Sequence, residues 1–292
     1  MNQHSPFDVI VIGGGSAGCV AASRLSEDPN RRVLLLEAGP DPQPLPSVIA
    51  DGSRGNSAIL ESDYVVMYPT KREFDGSIYY PLSGRIMGGG SSVNMMGFVH
   101  PTQHDLDTWG KLGNAGWSYE SCQPYLTGIE SDQDFGDAPH HGASGPISVK
   151  RNFSFDADRS GMIAAVIDRA VDLGLPLSPD GNVANPEGVT PGVSNVKDGL
   201  RQSSAVAYLD RARPRANLTI IADALVHSMK IVGRRVEEIA YEAEGHLRTV
   251  AADQVVLTAG VYHSPQILQL SGYGPASELE RLGIKPMVDV PG

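Results

Sequence analysis

The sequence predicts an α/β fold built on a parallel sheet, and three observations in the first 37 residues support that prediction. The first is the apolar, mostly β-branched run at 8–12, DVIVI, which is typical of a strand buried on both faces. The second is a glycine-rich stretch at 13–18 that lets the chain turn sharply into a helix at 19–26. The third is the apolar run at 33–36, which ends in Glu37. Together they predict a strand, turn, helix and strand unit.

Three glycines of the turn have separate predicted roles. Gly13 permits the tight turn, Gly15 lets a pyrophosphate approach the backbone, and Gly18 lets the helix pack closely on the strand. Ser16 and Ala17 lead into the start of the helix, where free N–H groups and the helix dipole attract phosphate. The pattern therefore predicts a dinucleotide site in a Rossmann-like unit rather than an ordinary glycine-rich turn.

Glu37 strengthens that prediction. It lies at the end of the second strand, about 20 residues beyond the last glycine, where a carboxylate accepts hydrogen bonds from a ribose diol. Its charge also repels a ribose 2′-phosphate, so NADP is disfavoured. The unit by itself does not distinguish an FAD site from an NAD site.

The composition limits the classes of function. A chain of 292 residues is long enough for two domains, and a formal net charge of −11 argues against nucleic acid as a partner. Cys19 and Cys122 are the only cysteines, so no disulfide framework is expected. The first strand begins near residue 7, and no apolar run is long enough to cross a bilayer. We therefore expect a cytoplasmic protein without a transmembrane segment.

Residues 39–83 form a long segment rich in Pro, Gly, Asp and Ser, in which only 64–68 is typical of a strand. So long an irregular segment inside a compact domain is usually functional, for example as a loop that covers a cofactor. A disordered insertion is disfavoured, because four tyrosines supply aromatic surface to bury. They are Tyr64, Tyr68, Tyr79 and Tyr80.

A second glycine-rich turn follows at 84–97, GRIMGGGSSVNMMG. Its consecutive glycines and serines can cradle an anion with clustered N–H groups and hydroxyls. A flexible linker is disfavoured, because linkers rarely interleave methionine and valine with small residues. Two such turns separated by a long segment suit an extended dinucleotide.

With these residues established, the sequence resembles the glucose–methanol–choline (GMC) flavoprotein oxidoreductases. The first family signature is matched over residues 84–107, with Met87 where a branched aliphatic residue is usual. The second is matched over residues 260–274, with Val261 and Tyr273 departing from the usual residues. Matching residues between the two are Trp109, Gly113, Gly116, Trp117, Ser118, Pro124 and Tyr125.

The resemblance implies FAD rather than NAD. It places Arg85, Met87, Gly89 and Gly90 near the pyrophosphate, Asn94, Met95, Met96 and Gly97 beside the flavin ring, Val226 at the adenine, and Ala38, Ala259 and Gly260 among the other FAD contacts. Some family members attach the flavin through a histidine just before this asparagine, and Val93 stands there in this sequence. The FAD is therefore expected to be non-covalent.

The resemblance also implies a glutathione-reductase-like FAD fold with a discontinuous cofactor domain. Residues 1–150 and 213–292 are expected to form the first and second parts of the FAD-binding domain, and residues 151–212 part of an α+β substrate-binding domain. Family members continue into a second half that carries the catalytic histidine and its partner histidine or asparagine. None of the eight histidines matches that motif, so no catalytic residue is expected in this chain.

The implied activity is that of an FAD-dependent alcohol dehydrogenase or oxidase of the choline dehydrogenase-like type. It would pass hydride from a CH–OH carbon of a small alcohol to flavin N5 and the proton to the histidine of the second half. The sequence does not indicate the electron acceptor. Two alternatives stay open: an FAD-containing hydroxynitrile lyase on the same fold, and a truncated product without catalytic activity.

The remaining patterns predict structure rather than chemistry. His140 and His141 are adjacent, whereas metal-binding pairs favour wider spacing, so no metal is expected. Strands are predicted at 146–149, 189–196, 218–221, 224–232 and 254–260, with a hairpin around Gly245 and a helix over 158–173. Ser203 or Ser204 is expected to cap a helix at 205–209, and a further helix is predicted to begin near Pro265.

Overall fold

A computed structural model describes residues 6–53, 57–72, 74–155 and 161–291. Contacts divide the chain into two compact units. The first comprises Met1–Ala50, Arg54–Asn94 and Ser203–Gly292, and the second comprises Asp51–Ser53 and Met95–Gln202. The expected cofactor and substrate domains, with boundaries after residues 150 and 212, stay a prediction.

The secondary-structure elements are numbered in chain order. The strands are β1 Phe7–Ile12, β2 Val33–Leu36, β3 Val65–Met67, β4 Thr70–Lys71, β5 Ile78–Tyr79, β6 Leu82–Gly84, β7 Glu130–Asp132, β8 Ile147–Arg151, β9 Val193–Ser194, β10 Val196–Lys197, β11 Leu200–Arg201, β12 Leu218–Ile221, β13 Leu225–Val232, β14 Arg235–Ala243, β15 His246–Val250, β16 Ala252–Leu257, β17 Tyr273–Gly274 and β18 Val288–Asp289. The α-helices are α1 Ser16–Leu25, α2 Ser47–Ala50, α3 Ser57–Leu60, α4 Gly90–Val93, α5 Gln103–Lys111, α6 Tyr119–Ile129, α7 Gly161–Asp172, α8 Asp210–Ala212, α9 Gly260–Leu270 and α10 Ala276–Arg281, and Ala205–Leu209 is a π-helix.

A four-stranded parallel sheet in the order β12-β2-β1-β16 forms the centre of the first unit. All four residues of β2 and the last four of β1 are at most 2% exposed, which explains their continuous apolar sequences. Ile10 and Ile12 pack into one hydrophobic cluster, whereas Val9 and Val11 pack into another with Cys19 of α1. The predicted α/β fold with a parallel sheet is confirmed.

An antiparallel sheet of β13, β14 and β15 covers one side of this core. Its residues Met229, Ile239 and Tyr241 belong to the same cluster as Ile10. The connection from β14 to β15 is the two-residue loop of Glu244 and Gly245, which both have positive φ, as tight hairpins require. The predicted hairpin around Gly245 is therefore confirmed.

The second unit contains a small sheet in the order β7-β8-β9, with β7 and β8 parallel and β8 and β9 antiparallel. Its helix α5 begins with a capping box, in which the side chains of Thr102 and Asp105 each accept the other's backbone N–H. Ser118 caps α6 by accepting the N–H of Ser121. In the described part of the chain, no helix has the length and apolar character needed to cross a membrane.

Several local predictions are wrong or only partly met. Helix α9 begins at Gly260, so Pro265 lies inside the helix and not in its first turn. The pattern at 189–196 forms only the short strands β9 and β10 in that region. Tyr79 and Tyr80 are 50% and 54% exposed, so they supply less buried aromatic surface than expected. The start of the helix predicted over 158–173 lies outside the described residues, and the helix is described from Gly161.

Candidate cofactor site

The glycine turn after β1 is fixed by close backbone contacts. Gly13 has a φ of +97°, and a Cβ on it would lie 2.6 Å from the Cα of Ala259. L side chains rarely adopt that conformation, so the turn requires glycine. A Cβ on Gly18 would lie 1.8 Å from the Gly13 carbonyl oxygen. Gly13 thus makes the tight turn, and Gly18 lets α1 pack against it, as the pattern predicts.

The start of helix α1 is uncapped and open. Gly15 precedes the helix without a side-chain cap, and the first turn contains no acidic residue. A Cβ on Gly15 would have no closer neighbour than about 4.0 Å, at Gly89 and Thr258. The first N–H groups of a helix have no partner within it. The backbone at Ser16 and Ala17 therefore offers donors and a positive dipole end to an anion.

The Glu37 side chain is buried beside this turn. Its Oε2 accepts the Gly14 N–H at 2.6 Å, and its Oε1 accepts the Gly39 N–H at 2.8 Å. Burial raises the pKa of Glu37, while these two N–H groups act in the opposite direction. A carboxylate offers about four lone-pair sites, so two backbone bonds leave capacity to accept further donors such as ribose hydroxyls.

The second glycine-rich turn touches the first directly. The Gly88 N–H donates to the Gly14 carbonyl at 2.7 Å, and a Cβ on Gly89 would lie only 2.7 Å from the Gly15 Cα. Met87 is 1% exposed and lies against Gly14, where an added Cβ would be 2.6 Å from its Sδ. The close approach of the two glycine-rich turns therefore requires glycine in both of them.

The two turns border a cavity of about 770 Å³, within the usual range for ligand pockets. All of its lining residues belong to the first unit. The predicted cofactor residues that line it are Gly13, Gly15, Ser16, Ala17, Glu37, Ala38, Arg85, Gly89, Gly90, Asn94, Val226, Ala259 and Gly260, and Val93 lines it as well. Residues from both predicted turns, and from strand ends far apart in sequence, thus meet around one space.

Five predicted cofactor residues do not line this cavity. Gly18 and Met87 are buried in the packing around the turns. Met95, Met96 and Gly97 belong to the second compact unit. A contact of these five residues with a cofactor stays a prediction.

Other lining residues were not predicted from the sequence. Leu60, Val65, Val66, Tyr68 and Leu82 come from the long irregular segment, which composition marked as functional without indicating which side chains face a ligand. Thr258 lines the cavity and places its hydroxyl 2.8 Å from the Gly13 carbonyl, so it supports the turn. His263 and Gln266 also line the cavity from α9. Their only signal was the second family signature, which surrounds them.

A second polar cluster lies in the second unit around His141, which is buried. Its Nδ1 is 2.9 Å from Glu130 Oε1 and 3.1 Å from Asp132 Oδ2, and its Nε2 is 2.6 Å from Asp180 Oδ2. Arg151 forms ion pairs with Asp132 and Asp180. His141 therefore bridges two carboxylates of β7 and a third, Asp180, from a distant part of the chain.

Hydrogen bonds favour the charged form of two of these carboxylates, Asp132 and Asp180. Burial opposes the charge on Asp132, but hydrogen bonds from Arg151 and from two backbone N–H groups outweigh it and lower the pKa. At Asp180 burial again opposes the charge, and hydrogen bonds from the Asn182 N–H, Arg151 and His141 outweigh it and lower the pKa. The cluster thus contains its own compensating cation.

The same cluster contains a possible metal-ligand set. Ligand atoms of Glu130, Asp132 and His141 lie within 4.8 Å of one another. The guanidinium of Arg151 already binds Asp132, however, and a metal ion would have to share that carboxylate with a positive charge. The expectation that no metal binds at His140 and His141 stays a prediction.

The family model for GMC oxidoreductases matches residues 7–288. The chain belongs to the GMC oxidoreductase family. The N-terminal domain of this family binds FAD, so family membership indicates FAD as the cofactor of this chain.

Individual relatives agree with this assignment. The chain is 36% identical over 296 residues to an oxygen-dependent choline dehydrogenase of Vibrio vulnificus, covering 100% of this chain and 51% of the relative. A solved pyridoxine 4-oxidase from Mesorbium loti has a TM-score of 0.89 and 34% identity, covering 98% of this chain and 55% of that one. A formate oxidase of Aspergillus oryzae RIB40, studied for FAD modification, has a TM-score of 0.85 and 28% identity, covering 99% and 51%. The chain spans about half the length of these relatives.

The cavity residues fit FAD in this GMC chain. Cβ atoms added to Gly90 and Gly260 would meet no protein atom within 4 Å, so bare backbone faces open space there. The uncapped start of α1 suits a pyrophosphate, and Glu37 suits a ribose. Aliphatic side chains such as Ile267 and Val226 offer apolar surface to a ring. Anion, diol and ring contacts are thus available around a single cavity.

Proposed function

We propose that the cavity of the first unit is where FAD binds, and that the chain forms the cofactor-binding part of an enzyme that oxidises the CH–OH group of a small alcohol. Family membership supports the cofactor and the reaction class. The observation that carries the choice of site is Glu37, a buried carboxylate with spare acceptor capacity that faces the cavity next to the uncapped start of α1.

Each part of the cavity has a proposed role. The N–H groups at Ser16 and Ala17 hold the pyrophosphate, Glu37 accepts the ribose hydroxyls, and Val226 contacts the adenine. Asn94 lies at the flavin end, after Gly89 and Gly90 of the second turn, and the other predicted residues that line the cavity complete the site. When bound, FAD supplies the hydride acceptor. The chain binds and orients it and excludes water from one side.

Two further parts of the proposal concern the whole enzyme. Choline-type alcohols are the first substrate class to test, because the relatives found include choline dehydrogenases. None of the eight histidines is assigned as the proton acceptor, so we expect the purified chain of 292 residues not to turn over an alcohol by itself. Alcohol turnover by that chain would show that a catalytic base lies within it.

The Glu37→Ala variant tests the proposed site. FAD binding should weaken by about 1.5 to 3 kcal/mol, the usual range for a hydrogen bond to a charged group. Glu37→Gln keeps an oxygen acceptor and should lose less. Calorimetric titration with FAD measures both, and a thermal melt of each variant shows whether the turn still folds.

Glu27→Ala is the matched control, because Glu27 is an exposed acid that pairs with Arg24 on the surface of the first unit. Its FAD affinity should equal that of the parent chain. Equal affinity of the parent, Glu37→Ala and Glu27→Ala would contradict the site.

We also propose that the FAD is non-covalent, because Val93, which lines the cavity, has no nucleophilic atom. Acid precipitation of the loaded chain should leave the yellow colour in the supernatant. A yellow pellet would instead indicate a covalent bond at another residue.

A further inference from the structure

The π-helix Ala205–Leu209 contacts the helices that follow both glycine-rich turns. Directly before it, the Ser204 N–H donates to the Ser91 hydroxyl of α4 at 3.0 Å. Near its end, the Tyr208 carbonyl accepts the Ser23 hydroxyl of α1 at 3.2 Å. Helix α1 follows the first turn and α4 follows the second. One short segment, far from both turns in sequence, is thus hydrogen-bonded next to each of them.

Its own hydrogen bonding and its packing fix the wide turn of this helix. The Asp210 N–H bonds to the Ala205 carbonyl, five residues back, which is the π-helical pattern. Ala205 and Leu209 are at most 3% exposed and pack in one hydrophobic cluster with Cys19 and Met87. Cys19 and Met87 lie beside the first turn and in the second turn, respectively. The π-helix therefore has a defined position relative to both turns.

Ser91 links the π-helix to the cofactor cavity. Its hydroxyl accepts the Ser204 N–H and donates to the Gly88 carbonyl at 2.6 Å. The Gly88 N–H donates to the Gly14 carbonyl at 2.7 Å, and the Gly14 N–H donates to Glu37 Oε2 at 2.6 Å. A chain of hydrogen bonds thus runs from the start of the π-helix through both turns to Glu37, within the first unit.

Ser91 itself does not line the cavity. Residues on either side of it do, namely Gly89, Gly90, Val93 and Asn94. The Ser91 hydroxyl is instead engaged by the Ser204 N–H and the Gly88 carbonyl. A change of the Ser91 hydroxyl should therefore reach a ligand in the cavity through the backbone that it holds.

We propose that Ser91 is a positioning residue for the cofactor: its hydroxyl, held by the Ser204 N–H, fixes the second glycine-rich turn against the first. The cofactor part rests on the proposed function. A site that already has its bound geometry spends less of the binding free energy on ordering when the ligand arrives. Loss of the Ser91 hydroxyl would then weaken FAD binding without removing a contact to FAD.

Ser91→Ala tests this role, because it removes the hydroxyl and both of its hydrogen bonds. The Kd for FAD should rise about 3- to 10-fold, or about 0.7 to 1.4 kcal/mol at 1.4 kcal/mol per tenfold, the net contribution of one hydrogen bond. Ser91→Thr keeps the hydroxyl and should restore the Kd to within about twofold of the parent chain. Titration of the complete chain with FAD measures each Kd, and a thermal melt reports the stability of each variant.

Ser92→Ala is the matched control. Ser92 is the next residue of α4, is fully buried, and donates to the Met87 carbonyl at 2.8 Å, so its hydroxyl bonds within the turn and not to the π-helix segment. Its loss should lower the melting temperature at least as much as Ser91→Ala and leave the Kd for FAD within about twofold of the parent. Equal weakening of FAD by the two variants would mean that affinity follows the general stability of the turn, and would overturn the positioning role. An unchanged Kd in Ser91→Ala would overturn it as well.

Amide hydrogen exchange of the FAD-free chain separates this inference from the proposed function. The N–H groups of Ser204, Gly88 and Gly14 are the donors of the hydrogen-bond chain. In Ser91→Ala they should exchange about 3- to 10-fold faster than in Ser92→Ala. A chain that binds no FAD but shows this difference would keep the positioning role of Ser91 and reject the proposed cofactor site. Equal exchange in the two variants would reject the positioning role whether or not FAD binds.

Discussion

The cofactor cavity and the His141 cluster both contain buried carboxylates, but the partners of these carboxylates differ. Glu37 accepts one backbone N–H on each oxygen and faces open space lined by bare glycine backbone. In the cluster, Asp132 and Asp180 share His141 and Arg151 as hydrogen-bonding or positive partners, and Asp132 borders a smaller cavity of about 380 Å³. Buried charge with spare capacity beside a cavity points to a ligand, whereas buried charge with its own compensating partners points to packing.

The largest effect is expected from breaking the cluster. His141→Ala leaves Glu130 and Asp180 buried without the ring that bridges them. Leaving a buried carboxylate uncompensated costs about 3 to 5 kcal/mol, so the free energy of unfolding should fall by up to that amount. Urea unfolding followed by circular dichroism measures the change.

His140→Ala is the control for that variant. His140 precedes His141 in the chain and is partly exposed, so its loss should cost no more than about 1 kcal/mol. Similar losses of unfolding free energy in His141→Ala and His140→Ala would show that the cluster adds no special stability. The contrast between the cluster and the cofactor cavity would then be wrong.

Smaller effects on stability are expected at Gly18 and Gly90, and the two should differ because their surroundings differ. A Cβ on Gly18 would overlap the Gly13 carbonyl, so Gly18→Ala should cost about 1 to 3 kcal/mol of stability as the helix is forced off the strand. A Cβ on Gly90 meets no protein atom within 4 Å, so Gly90→Ala should leave stability unchanged or raise it by up to about 1 kcal/mol.

The two glycine variants should differ in FAD binding as well. Gly90→Ala fills space that lines the cavity and should weaken FAD without loss of stability. Calorimetric unfolding measures the stability of each variant, and titration with FAD measures its affinity for the cofactor. A stable Gly90→Ala variant with undiminished FAD affinity would remove Gly90 from the site.

Most of the parallel sheet and the part of the candidate site formed by the first glycine turn and Glu37 could be predicted because their signals are local. The runs at 8–12 and 33–36, the glycine spacing after them, and Glu37 all act within one unit of about 30 residues. Each of these signals reflects the local backbone conformation or the alternation of side chains along a strand, and residues close in sequence determine both.

The remaining contacts could not be predicted because they join distant segments. Asp180 reaches His141 across 39 residues, and Tyr68 reaches His263 across 195, with no periodicity that relates either pair. The first turn of α9 was misplaced for a related reason. Gly260, with a φ of +84°, starts the helix directly after β16, and this tertiary turn overrides the preference of Pro265 for a helix start.

Amide hydrogen exchange with and without FAD tests the central claim most directly, because it reads both regions in one sample. The account predicts that FAD protects the amides at 14–18 and 88–90 strongly and leaves those at 130–134 and 141–151 unchanged. Protection confined to the cluster, or none at the two glycine turns when FAD is bound, would contradict the assignment of the cavity as the cofactor site.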